Sequence, residues 1–444
     1  MLSAADNDLL CRIGPGTLMG EFMRQYWIPA VRSDELPSGD CAPVRVKLLG
    51  EELIAYRTTS GAVGLMQNAC PHRGASLFFG RNEEEGLRCV YHGWKFDVTG
   101  ACVDMPSEPA ESNFKAKVRA RAYATSERNG IIWAYMGPRE RDNLPPLPDI
   151  EANMLCEGPH QISILHRPCN WMQGWEGEMD TVHAAFLHGG ATTLEKAKPG
   201  TGAWYSAKSR AAKFSAIDTE FGTSYGAYRP AEEDTYYWRI AHMLFPFYAM
   251  PPLGPLGRNA TIGIYVPMDD DHTLQWEIMY QPGVGSTLQG LDGPMANPTG
   301  PRTGRGVTLA NGTGWYDRFN IEQNYANDYL IDREAQKNWE SYTGIAGVRQ
   351  QDMAVTESMG PIYTRHREHL GTTDTMIIRT RRRLLNAAKA YRETGEASLG
   401  VDNPDVYHQR SGDLVLPRSV DWWDGTKELR EQFDAVREES TANA

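Results

Sequence analysis

The sequence predicts an α+β chain made of two unlike domains, and three observations predict it. Short apolar runs of β-type composition fill residues 43–135. A proline-rich joint, Asn143-Leu144-Pro145-Pro146-Leu147-Pro148, closes that section. Beyond the joint, helical and strand-like stretches mix. The expected boundaries are a lead-in over 1–40 packed on the second domain, a β-rich domain over 41–150, and a larger domain over 151–444. A chain of 444 residues is long enough for two or three cores of this kind.

Taken in order, residues 20–27 read as a helix in the lead-in. Two β-type runs follow, 44–49 and 52–57, split by Gly50, and 131–136 reads as the closing strand of the first domain. Residues 170–188 have helical composition, and 235–240 and 260–266 are strand-like. Residues 281–316, rich in Gly, Pro, Thr and Asn, read as a long loop or a mobile lid. The stretch 375–394 reads as a basic amphipathic helix whose Arg379–Arg383 cluster marks a solvated face. The formal net charge of −12 argues against nucleic acid as a partner. No apolar run approaches transmembrane length, and the N-terminus lacks the basic-then-apolar character of a signal peptide, so a cytoplasmic location is expected.

The chemistry lies first in Cys70-Pro71-His72-Arg73-Gly74 and Cys89-Val90-Tyr91-His92-Gly93-Trp94. Two thiolates and two imidazoles at these spacings can hold two metal ions unequally, since sulfur suits one iron of a [2Fe–2S] cluster and neutral histidine the other. Zinc takes the same ligand types. A zinc finger, however, pairs Cys with Cys and His with His, and each short pair here mixes them. A Cys70–Cys89 disulfide finds no support from an oxidising compartment. The remaining thiols, Cys11, Cys41, Cys102, Cys156 and Cys169, read as small buried apolar residues, which a reducing cytoplasm suits.

A second constellation is Asp180-x-x-His183 followed by His188. Asp180 and His183 are three apart and would share a helix face. His183 and His188 are five apart, about 140° around a regular helix, so they converge on one ion only where the helix bulges or ends. Two histidines and a carboxylate from elsewhere would make the facial triad of a non-heme Fe(II) oxygenase. Alone, the pattern more often marks two unrelated histidines. Downstream of an electron-carrying cluster it gains weight, because the electron needs a destination.

These motifs, with Gln351-Asp352-Met353-Ala354-Val355-Thr356-Glu357-Ser358-Met359-Gly360, resemble the α (terminal oxygenase) subunit of the Rieske non-heme iron oxygenases, and most nearly the phthalate dioxygenase-type branch of ring hydroxylases and O- or N-demethylases. The resemblance covers nearly the whole chain. It implies an all-β Rieske domain and a C-terminal catalytic domain with an antiparallel sheet wrapped by helices, of helix-grip, START-like type. It implies a [2Fe–2S] cluster on Cys70, His72, Cys89 and His92, and a mononuclear Fe(II) on His183, His188 and Asp352, with O2 as co-substrate. For the third ligand, Glu357 is the rival, and Asp352 pairing with Arg349 is the plain alternative. Asp180 matches a bridging carboxylate between the cluster histidine of a neighbouring subunit and a histidine of the mononuclear iron. Many relatives carry Asn where this chain has Glu176, so position 176 has no assigned role. The family's geometry implies a head-to-tail homotrimer, or a stacked hexamer.

Electrons would come from a separate NAD(P)H-dependent reductase or ferredoxin. Gly14-Pro15-Gly16 and Gly283-Val284-Gly285 lack the third glycine and the strand–helix setting of a dinucleotide loop. Residues 225–252 are rich in aromatics and methionine and suit a flat aromatic guest. Lys208, Arg210, Arg229 and Arg239 lie nearby, and a guanidinium in an apolar pocket grips a carboxylate bidentately. The candidate substrate residues are Arg210, Arg229, Arg239, His242 and Phe247. The expected reaction is oxidation of an aromatic carboxylate, leaning to O-demethylation of a lignin-type methoxylated acid, with cis-dihydroxylation of a phthalate-type ring as the alternative. From another class, a Rieske electron carrier would hold two irons per chain where an oxygenase holds three.

Overall fold

The computed structural model describes residues 2–109, 111–154, 160–258, 260–280 and 307–433. Residues 281–306, most of the expected loop, and Cys156 lie outside the described residues. The lead-in forms two short helices, Ala4–Cys11 and Leu18–Arg24. Each begins at a hydroxyl cap: Ser3 accepts from the Asp6 N–H at 3.0 Å and Thr17 from the Gly20 N–H at 3.1 Å. The second helix ends at Arg24, short of the expected 27. Trp27–Arg32 is instead a strand, because Pro29 disfavours helix at the residue before it and Trp27 pairs opposite Tyr135.

That strand joins a six-stranded antiparallel sheet in the order Trp27–Arg32, Ile131–Tyr135, Ala122–Arg128, Val63–Gln67, Glu51–Arg57, Val44–Leu48. The two runs split by Gly50 and the closing strand fall where the sequence predicts them. A second sheet of four very short strands runs Arg81–Glu83, Gly86–Arg88, Lys95–Phe96, Cys102–Asp104. The Cys70 loop leaves the first sheet after Val63–Gln67, and the Cys89 loop joins two strands of the second.

Past the proline-rich joint stands an antiparallel sheet of eight strands. Seven follow in the order His160–Arg167, Thr273–Tyr280, Ile262–Pro267, Tyr248–Met250, Thr235–Leu244, Gly222–Pro230, Lys213–Thr219, and Gly412–Pro417 also pairs with Thr235–Leu244. Helix Trp171–Met179 packs on the strands Ile262–Pro267 and Tyr248–Met250, and helix Thr375–Thr394 on Gly222–Pro230 and Lys213–Thr219. The result is a sheet wrapped by helices, as the resemblance implies. One apolar core runs through both domains, with Ile28 and Trp133 from the first and Trp171, Trp175, Phe245 and Trp276 from the second all buried in it. Tyr248 ties them further by donating to the Trp27 carbonyl at 2.9 Å.

The long helix corrects one expectation. Its arginine cluster is not simply a solvated face, because Arg381 is buried and donates to Glu176 (2.6 Å) and to Glu368. Glu176 also accepts from Arg365 Nε at 3.0 and 3.1 Å. A carboxylate between two guanidiniums stays ionised, since the arginines outweigh the burial that would otherwise neutralise it, and its pKa is lowered. Glu176 thus fastens helix Trp171–Met179 to helix Thr375–Thr394, which gives position 176 a structural role. Among the described residues no helix is long and apolar enough to cross a membrane.

Candidate metal centres

The two Cys/His loops close in the same way. The Cys70 N–H donates to the Ala75 carbonyl (2.8 Å) and the Gly74 N–H to the Cys70 carbonyl (2.9 Å). The Cys89 N–H donates to the Trp94 carbonyl (2.8 Å) and the Gly93 N–H to the Cys89 carbonyl (3.0 Å). Gly93 has φ +78°, and a side chain there would meet Pro106 Cγ at 2.7 Å, so both backbone and space demand glycine. Cys70 and Cys89 are buried and unbridged, which sets the disulfide aside. Burial pushes the Cys70 thiol up to about 11, with Cys89 adding, against the backbone N–H groups of His72 and Arg73 aimed at its sulfur. The His72 ring stacks on Trp94 at 4.3 Å and lies 4.4 Å from the His92 ring. His72 Nδ1 is buried and has no hydrogen-bond partner among the described residues. Two buried thiols, paired imidazoles and an orphaned ring nitrogen fit a mixed sulfur/imidazole iron–sulfur cluster.

The second site depends on where a helix stops. Trp171–Met179 starts at Asn170, whose side chain accepts the Met172 N–H at 3.2 Å, and ends well before the expected 188. Asp180 breaks it: its backbone is extended, and its Oδ1 accepts the N–H groups of Val182 (2.8 Å) and His183 (3.2 Å). This local turn competes with helix continuation. Asp180 and His183 therefore do not share a helix face. They meet through the turn instead, with Asp180 Oδ2 3.7 Å from His183 Nδ1. A single 3-10 turn, His183–Ala185, follows, and the chain then brings His188 Nε2 within 3.1 Å of His183 Nε2.

Helix Val348–Glu357 supplies the carboxylate. It begins after Gly347, which sits at φ +89°. Asp352 Oδ1 lies 3.1 Å from His188 Nε2 and 3.5 Å from His183 Nε2. An ion with bonds of about 2.1 Å at right angles holds neighbouring donors about 3.0 Å apart, so these three atoms fit one face of an octahedral site. Burial works to raise the Asp352 pKa, but His188, His183 and Arg349 hold it down to about 2, so the group is an anion at neutral pH. Arg349 stands 3.9 Å from Asp352 and is shared with Glu178 (2.9 Å) and Glu277 (2.7 Å). Glu357 turns away. It accepts from Tyr329 and lies 3.8 Å from Arg167.

The five candidate substrate residues go to three places. Arg210 donates to the carbonyls of Ala185 (2.6 Å), Gly190 (3.3 Å) and Thr192 (3.3 Å), pinning the loop that carries His188. His242 lies in the core with both ring nitrogens engaged, on Ser224 Oγ (2.8 Å) and the Arg410 carbonyl (3.1 Å), and Phe247 is fully buried in the main core. Arg229 and Arg239 share one face of the sheet: Arg239 lies opposite Ala227 and Arg229 opposite Tyr237. Arg239 donates to Thr181 Oγ1 at 2.7 Å, next to Asp180. Arg229 is 1% exposed, and its Nε and Nη1 have no hydrogen-bond partner among the described residues. Burial, with Arg239 adding, lowers its pKa to about 10.

Sequence reasoning missed Gln351, whose Oε1 lies 2.7 Å from His188 Nδ1. Its position beside Asp352 was the only available signal. It also missed Arg349 as an anchor shared by three carboxylates. A further group, Asp149, Asp405 and His408, also brings ligand-type atoms together. There Arg128, 3.8 Å from Asp149, already supplies positive charge.

The family comparisons agree with both halves. Residues 26–120 match the Rieske [2Fe-2S] domain, and residues 134–443 match the family described as LigXa C-terminal domain like. The chain is 46% identical over 429 residues to the 3-chlorobenzoate-3,4-dioxygenase oxygenase subunit of Comamonas testosteroni, covering 95% of this chain and 97% of that one. It is 34% identical over 446 residues to the phthalate 4,5-dioxygenase oxygenase subunit of Pseudomonas putida, covering 96% and 94%. It is 46% identical over 191 residues to the 5,5'-dehydrodivanillate O-demethylase oxygenase subunit of Sphingobium sp. (strain NBRC 103272 / SYK-6), covering 42% and 44%. The zinc-protein and electron-carrier readings give way to these matches. On two full-domain matches and relatives aligned from end to end, the chain belongs to the Rieske non-heme iron oxygenases as a terminal oxygenase subunit, an enzyme that carries a [2Fe–2S] cluster and a mononuclear iron and takes O2 as co-substrate.

Proposed function

We propose that this subunit oxidises the ring of a benzoate-type acid by cis-dihydroxylation, holding the carboxylate on Arg229 and Arg239. One observation carries the substrate class. Two buried guanidiniums lie on one sheet face, Arg239 bonded to Thr181 next to Asp180, and Arg229 keeps two nitrogens unpaired among the described residues. A buried donor without a partner costs about 1–3 kcal/mol, and a carboxylate would relieve that cost at both nitrogens. The full-length likeness to a 3-chlorobenzoate dioxygenase and to a phthalate dioxygenase favours attack on the ring. O-demethylation of a methoxylated aromatic acid is the second reading, favoured by the likeness to a dehydrodivanillate O-demethylase over 42% of the chain.

In this reading Cys70, Cys89, His72 and His92 hold the cluster, and His183, His188 and Asp352 hold the mononuclear iron. When bound, these groups deliver electrons from a separate reductase or ferredoxin and activate O2. Asp180 orients His183 and, in a head-to-tail trimer, reaches His92 of a neighbouring copy. Exposed apolar side chains gather at both ends of such a contact. Phe79, Val90 and Tyr91 lie by the cluster loops, and Phe186, Tyr342 and Val355 lie by the His183–His188–Asp352 group. Sedimentation of the holoenzyme would give three chains per particle, or six for stacked rings.

The chemistry is tested by product analysis with a surrogate reductase, NADH and O2. Chlorobenzoate, phthalate and dehydrodivanillate are each offered, and dihydrodiols and formaldehyde are measured. Dihydrodiol from a benzoate or phthalate is expected. Formaldehyde from the methoxylated acid, with no dihydrodiol from the others, would replace the first reading with the second.

A further inference from the structure

We propose that Gln351 is a positioning residue that sets the tautomer of His188 and thereby the retention of the mononuclear iron. The argument rests on reading His183, His188 and Asp352 as the iron's ligands. An amide has one accepting end and one donating end. Gln351 Nε2 donates to the Ile345 carbonyl at 2.8 Å, and that oxygen can only accept. The opposite amide orientation would set two acceptor oxygens against each other. Gln351 Oε1 is therefore the end that faces His188 Nδ1, at 2.7 Å.

The consequence falls on the imidazole. A neutral histidine carries one ring hydrogen, and the hydrogen bond made by one nitrogen decides the state of the other. With an acceptor fixed at Nδ1, the hydrogen sits there. The Nε2 lone pair then faces Asp352 and His183, which are 3.1 Å away on either side. Gln351 is 5% exposed, so water does not compete for the contact. The two histidines are thus held by unlike groups. The inner one, His188, with its side chain 4% exposed, has a neutral amide, while the outer one, His183, 26% exposed, has the Asp180 carboxylate.

The test separates accepting from merely filling space. Gln351→Leu removes both hydrogen bonds, while Gln351→Glu keeps an acceptor for His188 and loses the amide's bond to Ile345. The readout is the rate at which holoenzyme gives up its mononuclear iron to a ferrous chelator, with cluster absorbance and melting temperature as folding controls. Loss of such a supporting partner typically costs 10–100-fold in metal affinity. Gln351→Leu is expected to release iron about 10–100 times faster, with the cluster unchanged, and Gln351→Glu to stay near the native rate. Equal retention in Gln351→Leu would overturn the proposal. So would equally fast loss from both variants, which would leave Gln351 only as the fastener of Ile345. Should Gln351→Leu fail to fold, Gln351→Glu alone decides, since release at ten times the native rate from a folded chain sinks the idea. His183→Ala is the control for the ligand reading itself: full retention of iron there would defeat that reading, whatever Gln351 does.

Discussion

Arg229→Met isolates the claim that the Arg229–Arg239 pair is built for a carboxylate. The native side chain is 1% exposed, with Nε and Nη1 unpaired and Arg239 adding like charge. A hydrogen bond to a charged group contributes about 1.5–3 kcal/mol net. Two nitrogens are on offer, but Arg239 remains in the variant, so we take about 3 kcal/mol for the loss. At 1.4 kcal/mol per decade that is roughly a hundredfold in affinity. Methionine keeps much of the volume and removes the desolvation cost of a buried unpaired charge. The assay compares kcat/KM and Kd for 3-chlorobenzoate with those for 3-chlorobenzamide, which has the same ring and no charge. The carboxylate is expected to weaken about a hundredfold and the amide to change little, while the urea midpoint holds or rises. Equal loss for both ligands would refute the reasoning, because it would mean that Arg229 shapes the pocket without recognising charge. A fall in stability would show that the side chain has a partner here that the geometry does not reveal.

Two other predictions concern the transfer path and pH. Asp180→Asn should keep three irons per chain and slow the delivery of electrons in single-turnover kinetics, while His183→Ala should keep the cluster and fall to two irons; full turnover in Asp180→Asn would end the bridging role. His242 is fully buried, and burial, with Arg430 adding, pushes its pKa down to about 3, against about 6.5 for an unfolded histidine. The unfolded chain therefore takes a proton that the folded chain refuses, so this group destabilises the fold as pH falls below about 6.5, increasingly down to about 3. Between pH 7.5 and 5.5 the loss is about 1.4 kcal/mol. His242→Gln, which can still bond Ser224 and the Arg410 carbonyl, should remove that part of the pH dependence of the urea midpoint.

Much of the fold was legible because local signals and tertiary structure agreed. Gly50 at φ +78° does separate two paired strands, and helix Thr375–Thr394 begins and ends where its pattern does, closed by Gly395 in the left-handed region. The failures have one physical cause, namely that partners distant in sequence override local composition. Residues 25–27 continue a helical composition, yet Trp27 finds Tyr135, more than a hundred residues on. Arg381 has the sequence context of a solvated arginine, yet Glu176 and Glu368 converge on it and bury it. Glu368 lies only 13 residues before it, but Glu176 lies 205 residues away, outside any local window.

The site divides along the same line. The cluster loops are self-contained: their hydrogen bonds close within five residues, so spacing alone carried the chemistry. The mononuclear group is not. A five-residue histidine spacing is wrong for a helix, and only the ending of that helix resolves it. The cause is visible in one side chain, since Asp180 bonds forward to the Val182 and His183 amides and stops the helix just before the first histidine. The residue that resemblance marks as a bridge between subunits is therefore also the one that breaks the helix so that His183 and His188 can meet. For that reason Asp180→Asn is a better probe than Asp180→Ala. Asparagine keeps an oxygen for both backbone amides and changes only the charge, whereas alanine would let the helix run on and separate the two histidines. A large difference between the two variants in iron content would place the helix stop in the Asp180 side chain, and no difference would place it elsewhere.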